Sequence, residues 1–252
     1  FLPSLFLKYA NVAELHIDVI DINPDSIALL QQILQSILLP ENVRLNYINK
    51  DTLMEPFPKR YDIVVGNPPY MKVKDRSLLS AYKKSVVNKE TSNIFSFFIE
   101  KAMQLGDVVS LIVPKSLINA PEFGKTRQLM NEKAITHIVD FGEKGFKGVK
   151  IETIAFTLNQ RVKRNQTKVE SYITNSVEIK SQDYITDQSF PYWLIYRNND
   201  FDEAANKMIF GIFKSFRDRT LTKSNTAQQG KIRVLKSRNI GDNTVVDIDG
   251  YD

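Results

Sequence analysis

Residues 61 to 71 read YDIVVGNPPYM. Ile63, Val64 and Val65 form a short continuous apolar run rich in β-branched side chains, the pattern of a strand covered on both faces. The run ends on Gly-Asn-Pro-Pro. Proline fixes φ and has no N–H, so two in succession cannot extend a ladder and form a stiff corner instead. A core strand is therefore predicted to stop at Gly66 and to present Asn67, Pro68, Pro69 and Tyr70 at its carboxyl end.

Outward from this corner, strand-length apolar runs alternate with helix-length segments. LHIDVI (15–20) and VRLNYI (43–48) lie upstream; VVSLIV (108–113), ITHIVDF (135–141) and TIAFTL (153–158) lie downstream. Between the first two, Asn23 is a suitable N-cap and Pro24 a first helical residue. Ile27, Leu30, Ile33, Leu34 and Ile37 then recur at helical spacing. SNIFSFFIEKAMQLG (92–106) predicts a second helix with Gly106 as its stop, and PEFGKTRQLMNE a shorter third. This alternation implies an α/β fold with a doubly wound sheet. The pattern fades near residue 160 in the polar stretch NQRVKRNQTK, which predicts two domains, 1–160 and 161–252.

The chain has 252 residues, 42% hydrophobic and 25% charged, enough for a substantial core. No apolar run approaches the ~18 residues of a membrane span, so no membrane partner is expected. Cysteine is absent, which removes thiolate metal sites and cysteine nucleophiles. His16 and His137 sit in apolar strand candidates, where buried, satisfied histidines are expected, and neither has a partner at ligand spacing; no metal is assigned. The net charge of +5 is uneven. Nine Lys or Arg fall between Lys207 and Arg238 against the single acid Asp218, with aromatics interleaved in MIFGIFKSFRDR, a nucleic-acid footprint.

Ligands of open α/β sheets sit beyond the carboxyl ends of the strands. There Asp21 follows the first strand, Asp51 the second and the Asn67–Tyr70 corner the third. A carboxylate such as Asp21 suits ribose hydroxyls, and Asp51 suits an adenine amino group. The Asn67 side-chain oxygen and a backbone carbonyl of the corner can accept both hydrogens of a planar amine. Such an amine is a poor nucleophile because its lone pair is delocalised. Gripping both hydrogens favours the pyramidal form that can attack, a case of electrostatic preorganisation. The Tyr70 ring offers a stacking face.

With VIDINP and NKDT upstream and GNPPY after a strand, the sequence resembles the amino-methyltransferases of the Rossmann-like, class I S-adenosylmethionine-dependent group. The longer series NPPYMKV, SNIFSFFIEKAMQLGDVVSLIVPKSLI and FGEKGFKGVKIETIAF resembles the adenine-specific (N6) DNA methyltransferases of bacterial restriction–modification systems, over roughly residues 1 to 160. That resemblance implies S-adenosylmethionine as cofactor, with Asp21 on its ribose, Ile22 against its adenine, Asp51 on the adenine amino group and Phe98 lining the pocket. Asn67 and Pro68 would grip the target amine within the Asn67–Pro68–Pro69–Tyr70 catalytic corner. Tyr70 and Phe146 would flank a flipped adenine, and Lys72 and Lys74 would approach phosphates of double-stranded DNA. It also implies a bacterial cytoplasmic enzyme of type II restriction character, with restriction or specificity domains or subunits as partners. Residues 161–252 would begin a DNA target-recognition domain.

One departure is plain: residues 1 to 65 contain no glycine, whereas the family carries a glycine-rich cofactor turn after its first strand. The resemblance then implies an N-terminally truncated domain lacking that strand and loop, with weak cofactor binding. Cytosine-5 methylation is excluded, because it needs a cysteine. RNA and protein-glutamine amino-methyltransferases share the same four residues, and a non-catalytic DNA-binding piece is the other class of reading. The inserted segment after Tyr70 and the basic C-terminal stretch favour DNA, where a base must be flipped out.

Overall fold

The computed structural model describes residues 1–146, 148, 150–209, 212, 227, 230–231, 233–235 and 237–247. The chain divides into two compact units, Phe1–Asn198 and Asn199–Asp252.

In the first unit, all six expected strands form. A short helix α1 (Leu2–Lys8) precedes β1 (Leu15–Asp21), α2 (Pro24–Gln35) and β2 (Val43–Asn49). β1 and β2 pair in parallel, Leu15 opposite Val43 through Asp21 opposite Asn49. α2 starts as its sequence dictates: Asn23 Oδ1 accepts the Asp25 N–H at 2.9 Å, and Pro24 opens the first turn. Its buried stripe is narrower than the periodicity suggests. Ile27 and Leu34 are buried, whereas Ile33 is 51% exposed and Ile37 lies beyond the last turn.

A six-stranded mixed sheet holds β3 (Tyr61–Gly66), β4 (Gly106–Pro114), β5 (Ala134–Gly142), β6 (Thr153–Asn159), β7 (Gln166–Ser171) and β8 (Ser176–Ser181), in the order β3-β4-β6-β5-β7-β8. β3, β4, β5 and β7 run one way, β6 and β8 the other. The carboxyl ends of β3, β4 and β5 therefore meet at one edge of the sheet. β1 and β3 share no ladder. They are joined by side chains, the Tyr61 hydroxyl donating to Asp18 Oδ2 at 2.7 Å. No strand bearing a glycine-rich turn is present among the described residues.

The inserted segment after β3 carries α3 (Arg76–Tyr82), and α4 (Ile94–Leu105) follows. Gly106, expected as a helix stop, has extended backbone (φ −114°, ψ 148°) and begins β4 at once. A Cβ there would lie 2.7 Å from Val64 Cγ2, so glycine is required by the close approach of β3. α5 (Gly124–Asn131) precedes β5. Phe95, Ile99 and Ala102 of α4 and Met130 of α5 pack with Val109, Leu111 and Val113 of β4 and Ile154, Phe156 and Leu158 of β6. Burial of each large apolar side chain contributes roughly 1.5–3 kcal/mol, so this cluster holds the unit together.

The expected boundary at residue 160 falls inside this unit. β7 joins the sheet parallel to β5 and β8 closes it, before the four-residue helix α6 (Gln182–Ile185). β7 reads as linker because only alternate residues, Thr167, Val169 and Ser171, are buried. The basic stretch before it is anchored, Arg161 reaching Asp62 at 2.6 Å and Asp107 at 2.7 Å. His16, expected to be buried, is exposed and pairs with Glu14 at 2.9 Å. His137 lies half-buried on β5.

The second unit contains α7 (Asn199–Asn206) and a hairpin of β9 (Ile240–Gly241) and β10 (Thr244–Val245). Asn243 takes the left-handed turn position at φ 50°. Buried Asn239 braces the hairpin, its Nδ2 donating to the Val246 carbonyl at 3.1 Å. Of the nine expected basic residues, Lys207, Lys231, Arg233 and Arg238 are described; Lys214, Arg217, Arg219, Lys223 and Lys236 lie outside the described residues, as does most of MIFGIFKSFRDR. No helix among the described residues is long and apolar enough to cross a membrane.

Candidate active site

The double-proline corner sits where β3 ends. Asn67 is exposed, Pro68 buried, Pro69 exposed and Tyr70 half-buried. Pro68 anchors the corner in the core while Asn67 stays open to solvent. Among the described residues the Pro68 carbonyl accepts no backbone hydrogen bond outside regular elements. The Tyr70 hydroxyl lies 2.5 Å from Asn67 Oδ1 and 3.1 Å from the Ile112 carbonyl of β4. Burial pushes this phenol up to about 12, so it stays a donor through the neutral range.

The chain then turns back on itself. Ile94 N–H donates to the Met71 carbonyl at 3.0 Å and Val73 N–H to the Ser92 carbonyl at 2.9 Å, which ties the corner to the first turn of α4. Between these points α3 opens on Asp75, whose side chain accepts the Leu78 N–H at 2.8 Å. Buried Glu100 receives the N–H groups of Val87 and Asn88 at 2.6 and 2.9 Å. The insertion is thus fastened along its length. Lys72 and Lys74 are exposed on it.

Phe146 reaches Tyr70 from the loop after β5. Their ring centroids are 6.2 Å apart at 68°, and Phe95 meets Tyr70 from α4 at 6.5 Å and 84°. Tyr70 and Phe146 therefore touch edge to face instead of facing each other across a base-wide gap. Phe95 was not anticipated from the sequence, because its helical spacing reads as plain core.

A second group forms at the ends of β1 and β2. Asp21 is exposed, its Oδ1 accepting the Asn23 N–H at 2.7 Å, and Ile22 is 65% exposed beside it. Asn49 Nδ2 holds this turn through the Asp21 and Ile22 carbonyls, each at 3.0 Å. Asp51 is close in the chain but already engaged: Oδ1 accepts the Leu53 N–H at 2.9 Å and Oδ2 the Tyr82 hydroxyl at 2.7 Å. An adenine amino group would have to share a remaining lone pair. Phe98 packs against the Leu53, Tyr82, Val86 and Phe97 cluster. α4 links the two groups, Phe95 touching Tyr70 and Phe98 lying one turn further on.

A buried ion pair, also unanticipated, supports the same edge of the sheet. Lys115, just past β4, lies 2.7 Å from Asp140 Oδ2, and Asp140 is fully buried. Asp140 Oδ1 accepts the Gly142 N–H at 2.9 Å, and the Tyr196 hydroxyl lies 2.5 Å from Oδ2. These contacts fix the turn from which the Phe146 loop departs. The sequence signal is a lone Asp in an apolar strand, too weak to name its partners.

The described residues fit S-adenosylmethionine in part. An exposed carboxylate (Asp21) and an uncovered aliphatic face (Ile22) suit ribose and adenine, whereas no glycine in residues 1–65 offers backbone to the methionine end.

Solved structures with this fold include a protein from Listeria monocytogenes assigned as a class I S-adenosylmethionine-dependent methyltransferase. It aligns at TM-score 0.54 and 18% identity over 66% of this chain and 52% of that one. The type IIG restriction endonuclease BpuSI aligns at TM-score 0.53 and 20% identity, over 68% of this chain and 22% of its own. A modification subunit assigned to a type I restriction enzyme from Vibrio vulnificus YJ016 aligns at TM-score 0.51 and 13% identity, over 77% and 41%. These likenesses establish the class I methyltransferase fold, and the chain spans about half or less of each of these three structures. No curated protein sequence matches the chain. Residues 14–146, more than half of the chain, match the family described as Eco57I restriction-modification methylase. The chain belongs to the Eco57I restriction-modification methylase family.

Proposed function

We propose that this chain carries the catalytic corner of a site-specific DNA adenine-N6 methyltransferase of a restriction–modification system. The observation that carries the reading is the exposed carboxamide of Asn67, held on a corner whose next residue, Pro68, is buried. Asn67 Oδ1 and the Pro68 carbonyl take the two N6 hydrogens of the target adenine. The amine pyramidalises, its lone pair is freed from the ring, and the positive charge that develops on N6 faces two fixed oxygens. S-adenosylmethionine, when bound, supplies an electrophilic methyl group. Asp21 would hold its ribose, Ile22 and Phe98 its adenine, and Asp51 the adenine amino group.

Tyr70 gives the flipped base a surface to stack on. Because Phe146 rests against Tyr70, base entry displaces that ring. Lys72 and Lys74, exposed beside the corner, are suited to the DNA backbone. Restriction-modification membership favours DNA over RNA or protein as substrate. Residues 161–198 are part of the catalytic unit, and target recognition is assigned to residues from 199 onward.

The test is Asn67→Ala in the full-length protein, with methyl transfer followed on duplex DNA and the products identified as nucleosides. The expected result is N6-methyladenine from the parent and a loss of kcat on the order of 10²–10³ in the variant, with cofactor affinity retained. Wild-type turnover in the variant, or N4-methylcytosine as product, overturns the reading.

A further inference from the structure

The Tyr70 hydroxyl has one proton and two acceptors within reach, Asn67 Oδ1 at 2.5 Å and the Ile112 carbonyl at 3.1 Å. Its ring is held by Phe95 and Phe146, so the hydroxyl stands at a fixed point. Asn67, by contrast, is exposed, and an exposed carboxamide samples several rotamers. Neither aromatic contact uses the hydroxyl, and stacking on a base would not use it either. Among the described residues its hydrogen-bond partners are Asn67 and Ile112.

We propose that the Tyr70 hydroxyl is a positioning group for Asn67: it occupies Oδ1 where a target amine N–H would bind, and turns its proton to the Ile112 carbonyl when that amine arrives. This rests on reading Asn67 as the amine acceptor. The carboxamide is then ordered before the substrate enters, so ordering it costs nothing at the moment of reaction. One donor is exchanged for another at the same oxygen, and the displaced phenol keeps a partner, so no polar group is stranded. An isolated stacking ring would leave Asn67 to find its orientation during each encounter.

Two measurements on the full-length protein decide this. Tyr70→Phe keeps the ring and removes the hydroxyl. The expected result is a fall in kcat of about tenfold, the worth of about one hydrogen bond. Capture of a flipped 2-aminopurine at the target position should be unchanged. An unchanged kcat, or an equal loss of capture and kcat, overturns the proposal. Independently of activity, Tyr70→Phe is introduced into the parent and into Asn67→Ala, and the melting temperatures are compared as a cycle. The hydroxyl should matter only when Asn67 is present, with a coupling of about 2–4 °C; additive shifts overturn the pairing. If the parent transfers no methyl group at all, the functional reading falls while the thermal cycle still decides the contact.

Discussion

Replacing Gly145 with Ala tests how the loop bearing Phe146 is seated. A Cβ at residue 145 would lie 2.2 Å from Thr153 Oγ1, whereas ordinary contact begins at 3.4 Å. Thr153 is fully buried at the start of β6, where its backbone pairs with both Pro114 and Gly142, so it cannot retreat. The loop must move instead. Forcing an extra carbon into a packed site costs about 1–3 kcal/mol. For a domain of this size each kcal/mol lowers Tm by about 2–4 °C, so Gly145→Ala should melt roughly 2–12 °C below the parent. The rescue is specific. Thr153 Oγ1 has no hydrogen-bond partner among the described residues, so Thr153→Ala removes the clashing atom without breaking a bond, at the loss of about one buried methyl group, ~1 kcal/mol. The double variant should then show a favourable coupling of about 1 kcal/mol or more. Differential scanning calorimetry of the four proteins measures it. A Gly145→Ala protein melting with the parent, or strictly additive effects, would refute the reasoning.

Removing Lys115 as Lys115→Met leaves the buried Asp140 carboxylate with only neutral donors, the Gly142 N–H and the Tyr196 hydroxyl, a change expected to cost up to about 3–5 kcal/mol and to be visible as a lowered denaturant midpoint; a midpoint equal to the parent's would mean that Asp140 is not held by this pair. The double change Lys72→Ala and Lys74→Ala should weaken duplex binding across all sequences. It should also reduce the slope of log K against log salt by about 2, read by fluorescence anisotropy at several salt concentrations. An unchanged slope would remove both lysines from the backbone contact.

The strands of the first unit were legible wherever apolar, β-branched residues cluster. β-branched residues favour extended backbone, and LHIDVI, YDIVVG and VVSLIV each became a strand, although only VVSLIV is deeply buried. β7 was not legible, because QTKVES buries only alternate side chains and its polar half reads as linker. Gly106 was legible as punctuation but not as to kind. The same residue type ends helices and admits close neighbours, and only the position of Val64 distinguishes the two.

The corner at Asn67–Tyr70 followed from the sequence because proline chemistry is local: a fixed φ and a missing N–H act within two or three residues. By itself the sequence determined the strand–helix alternation, the stop after Gly66 and the resemblance that points to amine methylation. Tertiary structure alone decided which groups meet there. It set the Tyr70 hydroxyl against Asn67 and Ile112, closed Tyr82 onto Asp51 and paired Lys115 with Asp140. Those partners are 3, 42, 31 and 25 residues apart along the chain. Contacts of the longer spans depend on sheet order and helix placement, which residue type and periodicity do not encode.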